Sequence, residues 1–204
     1  MRIGIIDYCA GNPVSVMSTL KKAGISSFIS SDPKALEQAD KLILPGIGAF
    51  DEAVKKLEVN GITEMLEKKV REGQTPFLGI CLGMQLMTRS SEEGNQQGFG
   101  WLDATTTRFN NEGHKIKIPH IGWNYIRIHK SSKLFNDIDD GCKFYFAHSY
   151  QVVCNNQEEV LCTTEYGPAF ISAIEKNNIT GVQFHPEKSG KYGAILLKNF
   201  VEYF

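Results

Sequence analysis

The stretch Phe77-Leu78-Gly79-Ile80-Cys81-Leu82-Gly83-Met84-Gln85-Leu86-Met87 restricts the fold more than any other part of the chain. It reads as a short apolar strand running into a cysteine, with a glycine two residues to either side and a helix-like pattern straight after. A residue at the apex of a sharp strand-to-helix turn has a strained backbone, and side chains on its neighbours would collide, which gives both glycines a reason. This is the nucleophile-elbow layout with cysteine in place of serine. It lifts the sulfur clear of the sheet and leaves the Leu82 N–H unpaired at a helix N-terminus, where partial positive charge can hold an oxyanion. The bland alternative is a buried structural cysteine. Two flanking glycines suit a plain core strand poorly, so the elbow is the better reading.

An elbow of this kind belongs in a mostly parallel sheet, and the preceding residues supply the alternation. Residues 2–7 are an apolar run ending in an acid, the pattern of a buried parallel strand. A helix over 14–23 closes at Gly24, a second strand spans 27–31, and Asp32-Pro33 caps a brief helix through Ala39. The third strand, 41–44, breaks at Pro45-Gly46-Ile47-Gly48, and helices over 50–57 and 62–71 lead to the cysteine strand. Beyond Gly94, β stretches at 104–109, 115–118, 125–128 and 142–147 predict inserted antiparallel hairpins. Stretches at 150–154, 160–164, 169–175 and 181–184 continue that pattern, and a helix over 191–203 ends the chain. The expected class is α/β: a flavodoxin-like, mostly parallel sheet with helices on both faces and an inserted antiparallel region. Sites in such sheets gather at the C-terminal ends of the strands.

A chain of 204 residues fits one domain over 1–204 with a full core. Its formal net charge of -1 gives no reason to expect nucleic acid, and no apolar run approaches a membrane span. Met1 to Asp7 reaches an acid before any signal-peptide core forms. The five cysteines have no CxxC spacing, so neither a zinc site nor a disulfide framework is expected, and a reducing cytoplasm is the expected compartment.

Two further stretches bear on chemistry. Pro45-Gly46-Ile47-Gly48 lacks the third glycine of a dinucleotide fingerprint, because Asp51 stands there. It reads either as a loop presenting backbone N–H groups towards Cys81 or as an ordinary glycine turn. In Val182-Gln183-Phe184-His185-Pro186-Glu187 a strand delivers His185, Pro186 stops it, and Glu187 is placed to accept the imidazole N–H. Cysteine nucleophile, histidine base and carboxylate orienter make a triad recognised by role.

Together Gly79-Ile80-Cys81-Leu82-Gly83-Met84-Gln85, Pro45-Gly46-Ile47-Gly48 and His185-Pro186-Glu187 resemble the class I (triad) glutamine amidotransferases. Pro119-His120-Ile121-Gly122-Trp123-Asn124 and His148-Ser149-Tyr150 look like the glutaminase subunits of imidazole glycerol phosphate synthases. The resemblance covers essentially the whole chain. It implies Cys81 as nucleophile, His185 as general base and acid, and Glu187 as its partner. It further implies oxyanion contacts from the Leu82 N–H and the Ile47–Gly48 backbone, and L-glutamine contacts from Gln85, Glu93, Ser149 and Tyr150. A (βα)8-barrel cyclase subunit would dock over Asn12, Trp123 and Lys188 to form a heterodimer, with no metal and no cofactor. Cys9 stands where the family usually has glycine, and Pro13 where leucine is more usual. Residues 98–104 and 190–193 look closer to a paralogous branch that supplies ammonia for acetamidino sugars of surface polysaccharides. A stand-alone cysteine hydrolase of the same fold is the remaining alternative.

Overall fold

The structure is a computed structural model that describes residues 1–111, 113 and 116–204. β1 (Ile3–Ile6) is buried along its length, as an apolar strand covered on both faces must be. α1 (Pro13–Lys22) starts on a proline whose fixed φ suits the first turn, and the Asn12 Oδ1 accepts the Ser15 N–H at 3.1 Å as its cap. Cys9, in the loop between β1 and α1, has φ 60°, the left-handed region that glycine favours. β2 (Ser27–Ser30) and the short α2 (Pro33–Leu36), capped by Asp32, follow.

β3 (Lys41–Gly46) runs two residues past the expected break at Pro45. Its pairing with β1 ends at Ile43, so no neighbour on that side needs the N–H that Pro45 lacks. α3 (Phe50–Val59) comes next. The helix expected over 62–71 is α4 (Ile62–Leu66) continued by a π-helical stretch, Glu67–Glu72. β4 (Phe77–Cys81) then turns into α5 (Leu82–Gln85).

The second half is strand-rich. It contains β5 (Ala104–Arg108), β6 (His120–Tyr125), β7 (Arg127–Ile128), β8 (Lys143–His148) and β9 (Tyr150–Cys154). β10 (Val160–Glu165), β11 (Ala169–Lys176), β12 (Ile179–Val182) and α6 (Gly190–Tyr203) complete it. Of the strand expected over 115–118, Lys115 lies outside the described residues and the rest is not in a strand. The strand there is β6, which pairs β8 in a separate two-stranded sheet.

The main sheet has the order β2-β1-β3-β4-β12-β11-β10-β7. Its first five strands pair in parallel and the rest antiparallel. β9 joins β11 and carries β5. One face is covered by α1 and α6 through Val16, Leu20, Leu196 and Phe200. The other is covered by α2, α3 and α4 through Leu36, Phe50, Leu57 and Leu66. This is the expected α/β architecture, and it brings the ends of β3, β4 and β12 together.

Candidate active site

Cys81 is the last residue of β4 and pairs with Gly46, the last of β3. Its backbone has φ 55° and ψ −108°, a conformation L residues rarely adopt and one held only where the surroundings dictate it. Those surroundings leave no room for side chains at the neighbouring glycines. A Cβ on Gly79 would lie 2.5 Å from the Gly83 carbonyl oxygen, and one on Gly46 would lie 2.8 Å from the Leu82 Cβ. The helix after the elbow is shorter than expected. Four residues make a weak macrodipole, so the useful donor is the Leu82 N–H itself, which as the first helical residue has no intrahelical acceptor.

The strand expected to deliver His185 ends earlier, at Val182. Two backbone bonds carry the chain on: Gln183 N–H to Ser172 O at 2.9 Å, and His185 N–H to Tyr145 O at 2.8 Å. A single turn, Pro186–Lys188, follows, and the Ser189 hydroxyl donates to the His185 carbonyl at 2.6 Å. The His185 imidazole and the Glu187 carboxylate are almost wholly buried, with Nδ1 and Oε1 2.8 Å apart. That contact fixes the Nδ1–H tautomer and turns Nε2 towards the thiol. Nε2 has no hydrogen-bond partner among the described residues. Burial alone would lower the His185 pKa, but the Cys81 sulfur and then Glu187 outweigh it and push the pKa up to about 10. The imidazole is therefore a strong acceptor for the thiol proton.

A cavity of about 220 Å³ opens over Cys81. Ile47, Gly48, Leu82, Gln85, Glu93, Ser149 and Tyr150, all singled out in the sequence, line it, while His185 and Glu187 lie outside the lining. Gly48 has φ 101°, and Ile47 is half-exposed at the rim. Glu93 is also structural: its Oε2 accepts the Phe50 N–H at the start of α3 at 2.9 Å, and burial raises its pKa despite that bond. The Gln85 Nε2 is already committed to Tyr150 O at 3.2 Å and Gln183 Oε1 at 3.0 Å.

Residues the sequence reading passed over also reach this site. The Gln183 Nε2 lies 3.5 Å from the Cys81 Sγ. His148 Nε2 and His120 Nδ1 form a buried pair at 3.1 Å beside the cavity. The available signal for Gln183 was a polar residue inside the otherwise apolar run before His185.

Trp123 is 54% exposed and meets Tyr145 edge-on, and the Lys188 ammonium lies 5.7 Å from the same ring. Asn12 is exposed, but its side chain is occupied in capping α1, which packs against the Pro186–Lys188 turn. β6 is inverted as a strand: Ile121, Trp123 and Tyr125 face solvent, while His120 and Asn124 face inwards. Among the described residues no group of three His, Cys, Asp or Glu is placed to hold a metal ion, and no helix is long and apolar enough to cross a membrane.

The family described as Glutamine amidotransferase class-I matches residues 5–203. The chain is 47% identical to the imidazole glycerol phosphate synthase subunit HisH 2 of Methanococcus maripaludis, over 98% of each chain. It is 44% identical to subunit HisH 1 of Campylobacter jejuni strain RM1221, again over 98% of both. In fold it is similar to the structure of PurLQS from Thermotoga maritima, with TM-score 0.76, 18% identity, and 99% of this chain and 98% of that one covered. This chain belongs to the class I glutamine amidotransferase family.

Proposed function

We propose that this chain is the glutaminase subunit of an imidazole glycerol phosphate synthase, hydrolysing L-glutamine to glutamate and ammonia for a (βα)8-barrel cyclase subunit. The observation that carries the chemistry is Cys81, held at a strained elbow against a buried His185–Glu187 pair and open to a cavity of about 220 Å³. In this reading the Cys81 thiol passes its proton to His185 Nε2, and the sulfur attacks the carboxamide carbon. The Leu82 N–H and the Ile47–Gly48 backbone hold the tetrahedral oxyanion. His185 returns the proton to the departing ammonia, leaving a thioester. Water activated by the same imidazole hydrolyses that thioester to glutamate. Glu187 keeps the imidazole in the required tautomer throughout.

The pathway reading is supported by relatives named as HisH subunits at 40 to 47% identity over nearly their whole length. A barrel partner is supported by β6, whose outward apolar residues Ile121, Trp123 and Tyr125 are costly to leave in water. The test is the complex with Cys81→Ala. Glutamine-dependent synthesis by the pair should disappear, and synthesis from ammonium salts should persist. Retained use of glutamine would refute the nucleophile. Pairing the chain separately with the histidine-pathway cyclase and with the sugar-modifying amidotransferase distinguishes the pathways.

A further inference from the structure

We propose that Gln183 is a further residue of the reaction, donating a hydrogen bond to the Cys81 sulfur, with its polarity imposed by the Tyr150 carbonyl through Gln85. The proposal rests on the reading of Cys81 as nucleophile.

Gln183 is fully buried on the segment between β12 and His185, with its carboxamide 3.5 Å from Sγ. An amide has a donor end and an acceptor end, and only the surrounding hydrogen bonds decide which faces the sulfur. Here the deciding group is a backbone carbonyl, which cannot turn round. Tyr150 O can only accept, so Gln85 must present Nε2 to it, at 3.2 Å. The same Nε2 faces Gln183 at 3.0 Å, so Gln183 must present Oε1 there, and its own Nε2 is left for the sulfur. Turning either amide would set oxygen against oxygen in a buried site and leave donors unpaired.

The Tyr150 carbonyl is held from the other side as well. His148 Nδ1–H donates to it at 2.7 Å, which makes His148 Nε2 the acceptor for His120 Nδ1–H at 3.1 Å. His120 Nε2 then accepts from Asn124 Nδ2 at 3.3 Å, and Asn124 Nδ2 also donates to the carbonyl of Glu165 at 2.9 Å. This branch also ends on a carbonyl, so every member has one consistent orientation. Asn124 is the neighbour of the exposed Trp123 in β6, and the network therefore spans from that strand to the reacting sulfur.

A donor aimed at Sγ favours the thiolate. It also gives up nothing in the cycle: the thiol proton goes to His185, and Gln183 keeps its own. The other titratable groups that face Cys81 are His185 with Glu187 behind it, Tyr8, and across the cavity His148 and Glu93. An isosteric change at Gln183 leaves all of them in place.

The experiment is the pH dependence of iodoacetamide alkylation at Cys81, read site by site by mass spectrometry. The full chain is compared with Gln183→Met, which keeps length without a donor, and Gln183→Glu, which keeps shape but presents only oxygen. The alkylation midpoint should rise by about one pH unit in Gln183→Met and further in Gln183→Glu. Unmoved midpoints in both folded variants would overturn the proposal. A parallel measurement on the unmutated chain guards against misfolding: the Gln183 side-chain amide NMR signals should shift through the same midpoint and on alkylation. Indifferent signals would equally overturn it. Glutamine turnover with the partner is scored separately, so absent glutaminase activity would refute the proposed function without touching the alkylation result.

Discussion

The Cα of Gly83 faces the Leu44 carbonyl so closely that a Cβ on it would lie 2.0 Å from that oxygen. The start of α5 is thus seated on the end of β3 with no side chain between, and this seating places Leu82, the first residue of α5, in the lining of the cavity over Cys81. Because the obstacle is backbone, it cannot swing aside. Gly83→Ala should destabilise the fold by about 3 kcal/mol, the upper end for overpacking, and glutamine turnover should vanish in whatever remains folded. Urea unfolding followed by circular dichroism measures the first effect. A variant of unchanged stability would show that the elbow relaxes more easily than its geometry implies.

The His185–Glu187 pair predicts an unequal mutant series. In the proposed mechanism His185→Ala removes both the acceptor for the thiol proton and the donor to ammonia, and should cost about 10²–10⁴ in glutamine turnover. Glu187→Gln still offers an oxygen to Nδ1 at its 2.8 Å position and should cost less. Chelators should change neither rate, and strong inhibition by one would count against the assignment. The raised pKa of His185 sets a limit at high pH. Its contribution to stability is fully present below the ordinary 6.5 and is lost as pH rises through about 10. Cys81→Ala, which removes the largest cause of the elevation, should flatten that alkaline loss.

His120 and His148 act in the opposite sense. Burial lowers their pKa values to about 4 and about 3, and for His148 it outweighs the Tyr150 carbonyl bond. Unfolded imidazoles take up protons below about pH 6.5 while these two stay neutral. The contribution of these two imidazoles should therefore be constant above that pH, and stability should fall by about 1.4 kcal/mol per pH unit for each of them as pH drops towards 4. His148→Phe should reduce the acid slope, as read from urea midpoints across that range. An unchanged slope would mean that other groups carry the acid sensitivity.

The elbow could be read from the sequence because its constraint is local. Gly79 and Gly83 are near enough in sequence to Cys81 that their spacing alone betrays the turn. The parallel half was legible for a similar reason, since strands buried on both faces are apolar throughout and contrast with the helices between them. β6 escaped detection because its pattern is reversed, with Ile121 and Trp123 outside and His120 and Asn124 inside, so it does not look like a strand packing its apolar face inwards. Gln183 was in view but silent. Its meaning depends on Tyr150 and Gln85, and only the pairing of distant strands brings those within reach.

Lys41 shows the same dependence on distant chain. Its ammonium is buried at the start of β3, where it donates to the carbonyls of Val201, Phe200 and Phe204 at the end of α6, with the Val201 contact at 2.6 Å. Burial pulls its pKa below the ordinary lysine value, yet the charge completes carbonyls that the helix itself cannot satisfy. Lys41→Met should cost about 1–3 kcal/mol by leaving those carbonyls unpaired. Hydrogen exchange should locate the loss in the last turn of α6, and protection unchanged there would refute the role.

The Ile47–Gly48 peptide carries the last prediction. Gly48 sits at φ 101° on the rim of the cavity, with nothing within 4 Å of where a Cβ would be. Space is therefore not the constraint on this residue; backbone conformation is. An alanine would be strained there by about 1–3 kcal/mol and would hold the peptide in another orientation. If the oxyanion donor is turned towards Cys81 only when the partner docks near Trp123, ammonia is released only when a receiver is in place. The partner must then bind the turned state more tightly than the resting one. Glutaminase rate should be low for the chain alone and rise when the barrel subunit and its acceptor ligand are added. Gly48→Ala should lose about 10²–10³ of that rise, the cost of one oxyanion donor, while complex formation measured by calorimetry is retained. Full activity of the isolated chain would remove the case for a switch.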